Sequence, residues 1–315
     1  MAKLFTLWQR VAVGAGCALL LCAGTVALSA HATVNAQQST NTNQAQPKKK
    51  KLPPGAKGFE NYAGRDASDK LVTGGATRGM EDVLARGNEA YAAAQEKEKA
   101  GETKEAAVQY QKAVDAYKEV VKANPKMFKA YFSLGAAYEA LGQFKEATDA
   151  YKHAVGLTPD PERDTPDEVL VAYYNLGNAF ASAGQHQEAI NAYKEVVSRA
   201  DKLSKPYYNI GLSYVALDKQ PDAITNFKQA VELNPAFELA WYNLGLAYSK
   251  TEQYAQAAEA FKKAVELDEN HAEARYNLGL VYYIMDNRAG LLQQQKALQA
   301  SNPALAKELA KLMTQ

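Results

Sequence analysis

The 315-residue sequence predicts an all-α fold, a solenoid of stacked helix pairs, on three observations. Strings of the form aromatic-Asn-aliphatic-Gly recur at a fixed spacing of 34 residues. Within each copy the large residues fall three and four apart, which is the period of a helix face and not of a strand. Pro159, Pro235 and Pro303 stand where the second helix of a copy must stop or the next first helix must start, since proline lacks an N–H and fixes φ.

Composition narrows the function classes. Lys and Arg total 36 against 35 Asp and Glu, a net charge of +1, so the strongly basic face that nucleic-acid binding needs is not expected. Both cysteines, Cys17 and Cys22, lie in one apolar run near the start, so neither a disulfide framework nor a thiolate zinc site is expected in the body of the protein.

Along the chain, residues 1–32 read as an export signal: Lys3 and Arg10 precede an uncharged run from Val11 to Ala30, and Ala30-His31-Ala32 forms an A-x-A cleavage site. Val34-Asn35-Ala36 is a later alternative site. The expected location is the periplasm or cell envelope of a bacterium. The alternative is an uncleaved inner-membrane anchor, because the run approaches the ~20 residues that span a bilayer. Gly14, Gly16 and Gly24 weaken such a helix, and membrane contact is expected only if this segment is retained. Residues 33–79 change to Gln, Asn, Thr, Lys, Pro and Gly, with a basic run Lys48–Lys51, and read as a disordered tether that cannot bury enough apolar surface to fold. Residues 80–127 contain Arg86-Gly87-Asn88-Glu89-Ala90-Tyr91 and then a long amphipathic run, as in a divergent first copy with longer helices.

Five regular copies follow, at 128–161, 170–203, 204–237, 238–271 and 272–305. Their positions four, seven and eleven carry Tyr131/Leu134/Tyr138, Tyr173/Leu176/Phe180, Tyr207/Ile210/Tyr214, Trp241/Leu244/Tyr248 and Arg275/Leu278/Tyr282, one stripe of a first helix with Gly at position eight. Second helices supply Ala147/Tyr151/Ala154, Ala189/Tyr193/Val196, Ala223/Phe227/Ala230 and Ala257/Phe261/Ala264, whose small members let helices approach closely. Between the first two copies an eight-residue insertion ends in Thr165-Pro166-Asp167-Glu168, a capping box with proline at the first helical position. At the end, residues 303–315 place Leu305, Leu309 and Leu312 on one face, as expected of a helix that caps a solenoid.

These residues resemble the tetratricopeptide-repeat family, whose pattern W-x2-L-G-x2-Y followed by A, F, A and P they reproduce over residues 128–305. The resemblance implies a right-handed solenoid of antiparallel helix pairs, its first helices lining a concave groove that takes a protein or peptide partner. Arg275 departs from the pattern at position four, Asp201 and Glu269 at the proline, and Leu291, Gln295 and Leu298 in the last second helix.

Motifs for nucleotide binding, metalloproteolysis, serine hydrolysis, calcium binding and dithiol chemistry are absent, and His31, His153, His186 and His271 are isolated from one another in sequence. No catalytic residue, metal site or cofactor is expected. Function is expected instead on a second stripe of the first helices, at positions two, six, nine and thirteen. Position six is Asn175, Asn209, Asn243 and Asn277 in four consecutive copies, and position five is Phe132, Tyr174, Tyr208, Tyr242 and Tyr276. A row of asparagines is similar to that in the repeat superhelix of the O-linked N-acetylglucosamine transferases, which implies a role in holding peptide backbone. A primary amide can meet the N–H and C=O of an extended chain together. Two roles are open for these asparagines: contact with a partner, or bonds to a neighbouring helix or water. The leading expectation is an exported, non-catalytic adaptor for an extended peptide. The alternative is a scaffold that assembles an envelope complex through its convex face or ends.

Overall fold

The computed structural model describes residues 76–157 and 166–314. The export segment, nearly all of the tether and most of the insertion lie outside the described residues. Among the described residues there are thirteen helices and no strand, and no helix is long and apolar enough to cross a membrane. The helices are α1 (Ala76–Lys99), α2 (Thr103–Ala123), α3 (Phe128–Ala140), α4 (Phe144–Gly156), α5 (Pro166–Ser182), α6 (His186–Arg199) and α7 (Ser204–Ala216). They continue as α8 (Gln220–Leu233), α9 (Glu238–Lys250), α10 (Tyr254–Leu267), α11 (Ala272–Ile284), α12 (Arg288–Ser301) and α13 (Pro303–Leu312).

The described chain forms two compact units, 76–116 with 137–143, and 117–136 with 144–314. In the first, Ala94, Ala106 and Tyr110 are buried together with Tyr91 and Leu141 against them. The Tyr91 and Tyr110 rings meet edge to face at 5.2 Å, the arrangement their quadrupoles favour. The Tyr110 hydroxyl donates to Glu98 at 2.8 Å.

The second unit is a helical-repeat solenoid. From α4 onward each helix packs on the next in chain order, and α13 also reaches back to α11. Its core is the packing stripe. Leu134, Leu176, Ile210, Leu244 and Leu278 are buried on the first helices, and the Ala/aromatic/Ala triplets are buried on the second. Position eight must be glycine because a ring fills the space a Cβ would take. A methyl at Gly177 would stand 2.5 Å from Tyr193, at Gly211 2.5 Å from Phe227, and at Gly245 2.7 Å from Phe261. Each of those rings belongs to the second helix of the same repeat, so glycine sets how closely the two helices of a pair approach.

The last repeat solves the same problem differently. Its second helix has Gln295 where the others have a ring, and the side chain over Gly279 is Leu309 of α13, 2.6 Å from where a Cβ would sit. Leu309 is fully buried, while Leu291 fills the place that alanine holds elsewhere and Leu298 the place of Ala154, Val196, Ala230 and Ala264. Arg275 also has a physical reason. Its Nε donates to the Glu269 carbonyl at 2.8 Å, as the Trp241 indole N–H donates to the Pro235 carbonyl at 3.0 Å, so the hydrogen bond to the loop six residues upstream survives the loss of the ring.

Turns within pairs repeat one conformation. Gly142, Gly184, Asp218, Glu252 and Asp286 have φ between 55° and 76° and occupy the same position in the five repeats. The left-handed turn bends the chain back at once, and only glycine adopts it without steric cost. Between repeats, Pro235 lies two residues beyond the end of α8, and Pro303 is the first residue of α13, where Asn302 caps the helix by accepting from the Leu305 N–H at 3.2 Å.

Candidate functional site

The second stripe is built from first helices whose opposite face is held in the core. On α7 it runs Lys205, Asn209, Leu212 and Ala216; on α9, Leu239, Asn243, Leu246 and Lys250. These residues recur at four, three and four, so they share one helix face. Asn175, Asn209, Asn243 and Asn277 are all half-buried, as are Phe132, Tyr174, Tyr208, Tyr242 and Tyr276. Leu212 is 37% exposed and Leu239 41%, comparable with Leu267 and Leu292 off this stripe.

The asparagines and tyrosines interlock across repeats. Asn209 Nδ2 donates to the Tyr174 hydroxyl at 3.1 Å, Asn243 to Tyr208 at 3.2 Å and Asn277 to Tyr242 at 3.2 Å. Each rung therefore joins position six of one repeat to position five of the repeat before it. Asn209 directs its second N–H to Asn178 Oδ1 at 3.2 Å, and Asn243 directs its own to the Leu239 carbonyl at 2.9 Å. Asn178 is an organising acceptor that sequence reasoning passed over, for it also receives the Tyr193 hydroxyl at 2.7 Å. It stands at position nine of the same stripe, which was the available signal. With both donors of Asn209 and Asn243 engaged, what these two present outward is a carbonyl oxygen.

The rung tyrosines are held by ring packing from both sides. Tyr174 lies 5.7 Å from Tyr193, Tyr208 lies 5.8 Å from Phe227, and Tyr242 lies 5.9 Å from Phe261, each pair tilted. From the end of the same repeat, just before the next first helix, Phe237 comes within 4.8 Å of Tyr208 and His271 within 4.6 Å of Tyr242. Burial, with the nearby Glu238 charge, pushes the Tyr208 hydroxyl well above its ordinary value. Burial and the charges of Glu273 and Glu238 push Tyr242 up to about 12, against the downward pull of the Asn277 bond. Both hydroxyls are therefore neutral at any physiological pH and remain acceptors for the rungs.

His271 is not the isolated surface histidine that its sequence position suggests. Nδ1 is hydrogen-bonded to Glu238 Oε1, and Nε2 lies 3.9 Å from Glu273. Burial alone would lower its pKa, but the Glu238 bond and the charges of Glu238, Glu273 and Asp268 outweigh that and hold it above the usual imidazole value. A folded value above the unfolded one means that the pair's contribution is complete below about pH 6.5 and is lost as pH rises through the folded value. Thermal midpoints measured against pH should show wild type ahead of His271→Gln below that value, with the advantage shrinking above it. Parallel profiles would contradict the assignment. Among the described residues no three His, Cys, Asp or Glu side chains group closely enough to hold a metal ion.

Family profiles described as tetratricopeptide repeat match residues 171–202, 239–271 and 91–161, and one described as TPR repeat matches 211–252. No match is found among curated protein sequences. Among solved structures the chain is similar to YrrB, a TPR protein whose structure was reported with an unusual peptide-binding site. The identity is 22%, over 63% of this chain and 99% of that one, with a TM-score of 0.52. It is similar to the MamA protein at 26% identity over 62% of this chain and 96% of that one, with a TM-score of 0.50. PilF of Pseudomonas aeruginosa is similar at 16% identity over 74% of this chain and 99% of that one, with a TM-score of 0.52. The 34-residue phase, the glycine under each ring and profile matches that span just over half of the sequence agree: the chain belongs to the tetratricopeptide-repeat family.

Proposed function

We propose that the protein is an exported, non-catalytic adaptor that holds an extended segment of a partner protein in a concave groove lined by its first helices. Tetratricopeptide repeats mediate protein–protein contacts, and the observation that carries the finer reading is the stripe itself. Exposed Leu212 and Leu239 alternate with the carbonyl oxygens of Asn209 and Asn243. An extended chain suits that pattern, since its side chains alternate sides while its N–H groups seek acceptors. Export rests on Lys3, Arg10, the apolar run that follows and Ala30-His31-Ala32.

A second reading, assembly through a surface other than the stripe, is favoured by an open hollow of about 430 Å³ between α8, α9 and α10, lined in part by Trp241, Leu244 and Tyr248. A photo-crosslinking residue placed at 212 or 239, or at Lys228 or Gln256 on the rim of that hollow, separates the two in the native cell. The adaptor reading expects one partner captured from 212 and 239 and nothing from the rim; the reverse pattern belongs to the scaffold. Amino-terminal sequencing of the mature protein is expected to start near Thr33 or Gln37, and recovery of an intact amino terminus in membranes would point to the anchor.

A further inference from the structure

The hollow between α8, α9 and α10 has a chemistry that its counterparts in the other repeats lack. Its rings are Trp241 and Tyr248, at positions four and eleven of the fourth repeat. In the second repeat the same positions are Tyr173 and Phe180, and each carries a cation of this chain. Arg199 lies 4.8 Å from the Tyr173 ring centre, and Lys152 lies 4.9 Å from that of Phe180. The ring quadrupole holds such a cation, and tryptophan holds it best. At Trp241 the residue in the place of Arg199 is the exposed Leu267, and among the described residues no cation stands over Trp241 or Tyr248.

The hollow also has room and the opposite charge. Ala255 and Ala260 line it where the third repeat has the larger Pro221 and Asn226. Two carboxylates, Glu232 of α8 and Glu259 of α10, face it against one cation, Lys228. Both carboxylates are exposed, and neither forms an ion pair with a described residue. Lys263, which feels the charge of Glu259, is itself bonded to Glu266 at 2.8 Å. Among repeats two to five this combination occurs once. The third repeat has Ser198 and Thr225 in place of the carboxylates, and the fifth has Arg275 in place of the tryptophan and Gln293 in place of Glu259.

We infer that this hollow is a second binding site, which takes an arginine side chain of a partner protein, with its guanidinium against Trp241 and paired with Glu232 and Glu259. Arginine suits it better than lysine, because a planar, weakly hydrated guanidinium stacks on a ring and meets carboxylates in a fork. The Trp241 indole N–H is already spent on the Pro235 carbonyl at 3.0 Å, so what the ring has left for a ligand is its π system. The apolar stem of the arginine lies along Val231 and Leu244, which line the same hollow. This inference goes beyond the stripe reading and does not depend on it. The adaptor by itself leaves the rim empty, and the arginine contact adds a second point of attachment there.

The test follows the Trp241 indole N–H signal in nitrogen-15 NMR spectra of the full chain, told apart from that of Trp8 by a Trp8→Phe variant. The probe is an eight-residue glycine peptide that carries two arginines, and its control carries citrulline, the uncharged isostere of arginine. A saturable shift is expected with the arginine peptide and none with citrulline. Glu232→Gln and Glu259→Gln should each weaken binding by roughly two- to fivefold, and Lys228→Ala should tighten it by about the same factor, as exposed charge pairs do. Leu267→Arg, which gives Trp241 the cation that Tyr173 already has, should weaken it at least as much. All four of these side chains are exposed, so the changes leave the core untouched. An unmoved indole signal with the arginine peptide, an equal shift with citrulline, or weaker binding in Lys228→Ala overturns the inference and leaves the stripe reading standing.

Discussion

Leu244→Ala is expected to lower the stability of the second unit by about 2–5 kcal/mol, the cost of a lost aliphatic side chain and the cavity it leaves. Leu244 is 2% exposed and sits in a cluster with Ala223, Ile224, Phe227, Ala230 and Val231 of the preceding second helix and Ala240 of its own. Tyr248 packs against both this cluster and the next, which holds Phe261 and Leu278, so the site couples two repeats. Helices here pack on their chain neighbours, and stability in such arrays is a sum of local terms. Loss of amide protection should therefore centre on α8 to α11 and fade toward α5. Hydrogen exchange that shows uniform loss over residues 80–314 would contradict a solenoid of local contacts.

Leu309→Ala is expected to cost a similar ~2–5 kcal/mol, in a place the repeat pattern would not suggest. The residue lies outside the five repeats, on a short terminal helix, yet it is fully buried over Gly279 and does there what Tyr193, Phe227 and Phe261 do for the glycines of earlier repeats. Removing it uncovers α11 at Gly279. The predicted consequence is early opening of α11 to α13, read as a low-temperature phase in thermal unfolding and as faster exchange confined to residues 272–314. Leu305→Ala serves as the control on the same helix, because Leu305 is half-buried and should cost less. Equal effects from the two would mean that α13 is an appendage and not part of the last repeat.

How much of this was legible in the sequence depended on whether the signal lay within one repeat or between two. Positions such as Leu176, Gly177 and Tyr193 declared themselves because periodicity along a helix fixes a face, and a glycine opposite a large ring has one physical reading. The asparagine row was visible for the same cause. Its bonding was not: Tyr174 and Asn209 are 35 residues apart, and only the offset between stacked first helices brings position five of one against position six of the next. The same limit hid Leu309, whose place on a helix face was legible while its socket over Gly279 belongs to another helix. His271 was passed over as isolated in sequence, but Glu238 faces it from the opposite end of the same repeat, 33 residues earlier. Arg275 read as a break in the pattern because the pattern records ring shape, whereas the surviving function of that position is an N–H aimed at a loop carbonyl.

The central claim is that a partner lies along the stripe of the first helices, and leucine-methyl NMR tests it most directly. With the crosslinked partner segment added to methyl-labelled protein, the methyls of Leu212, Leu239 and Leu246 should shift, while those of Leu233 and Leu267, at the ends of second helices, should stay in place. Shifts confined to Leu233, Leu244 and Leu267, with Leu212 and Leu239 unmoved, would place the partner away from the stripe and contradict the claim.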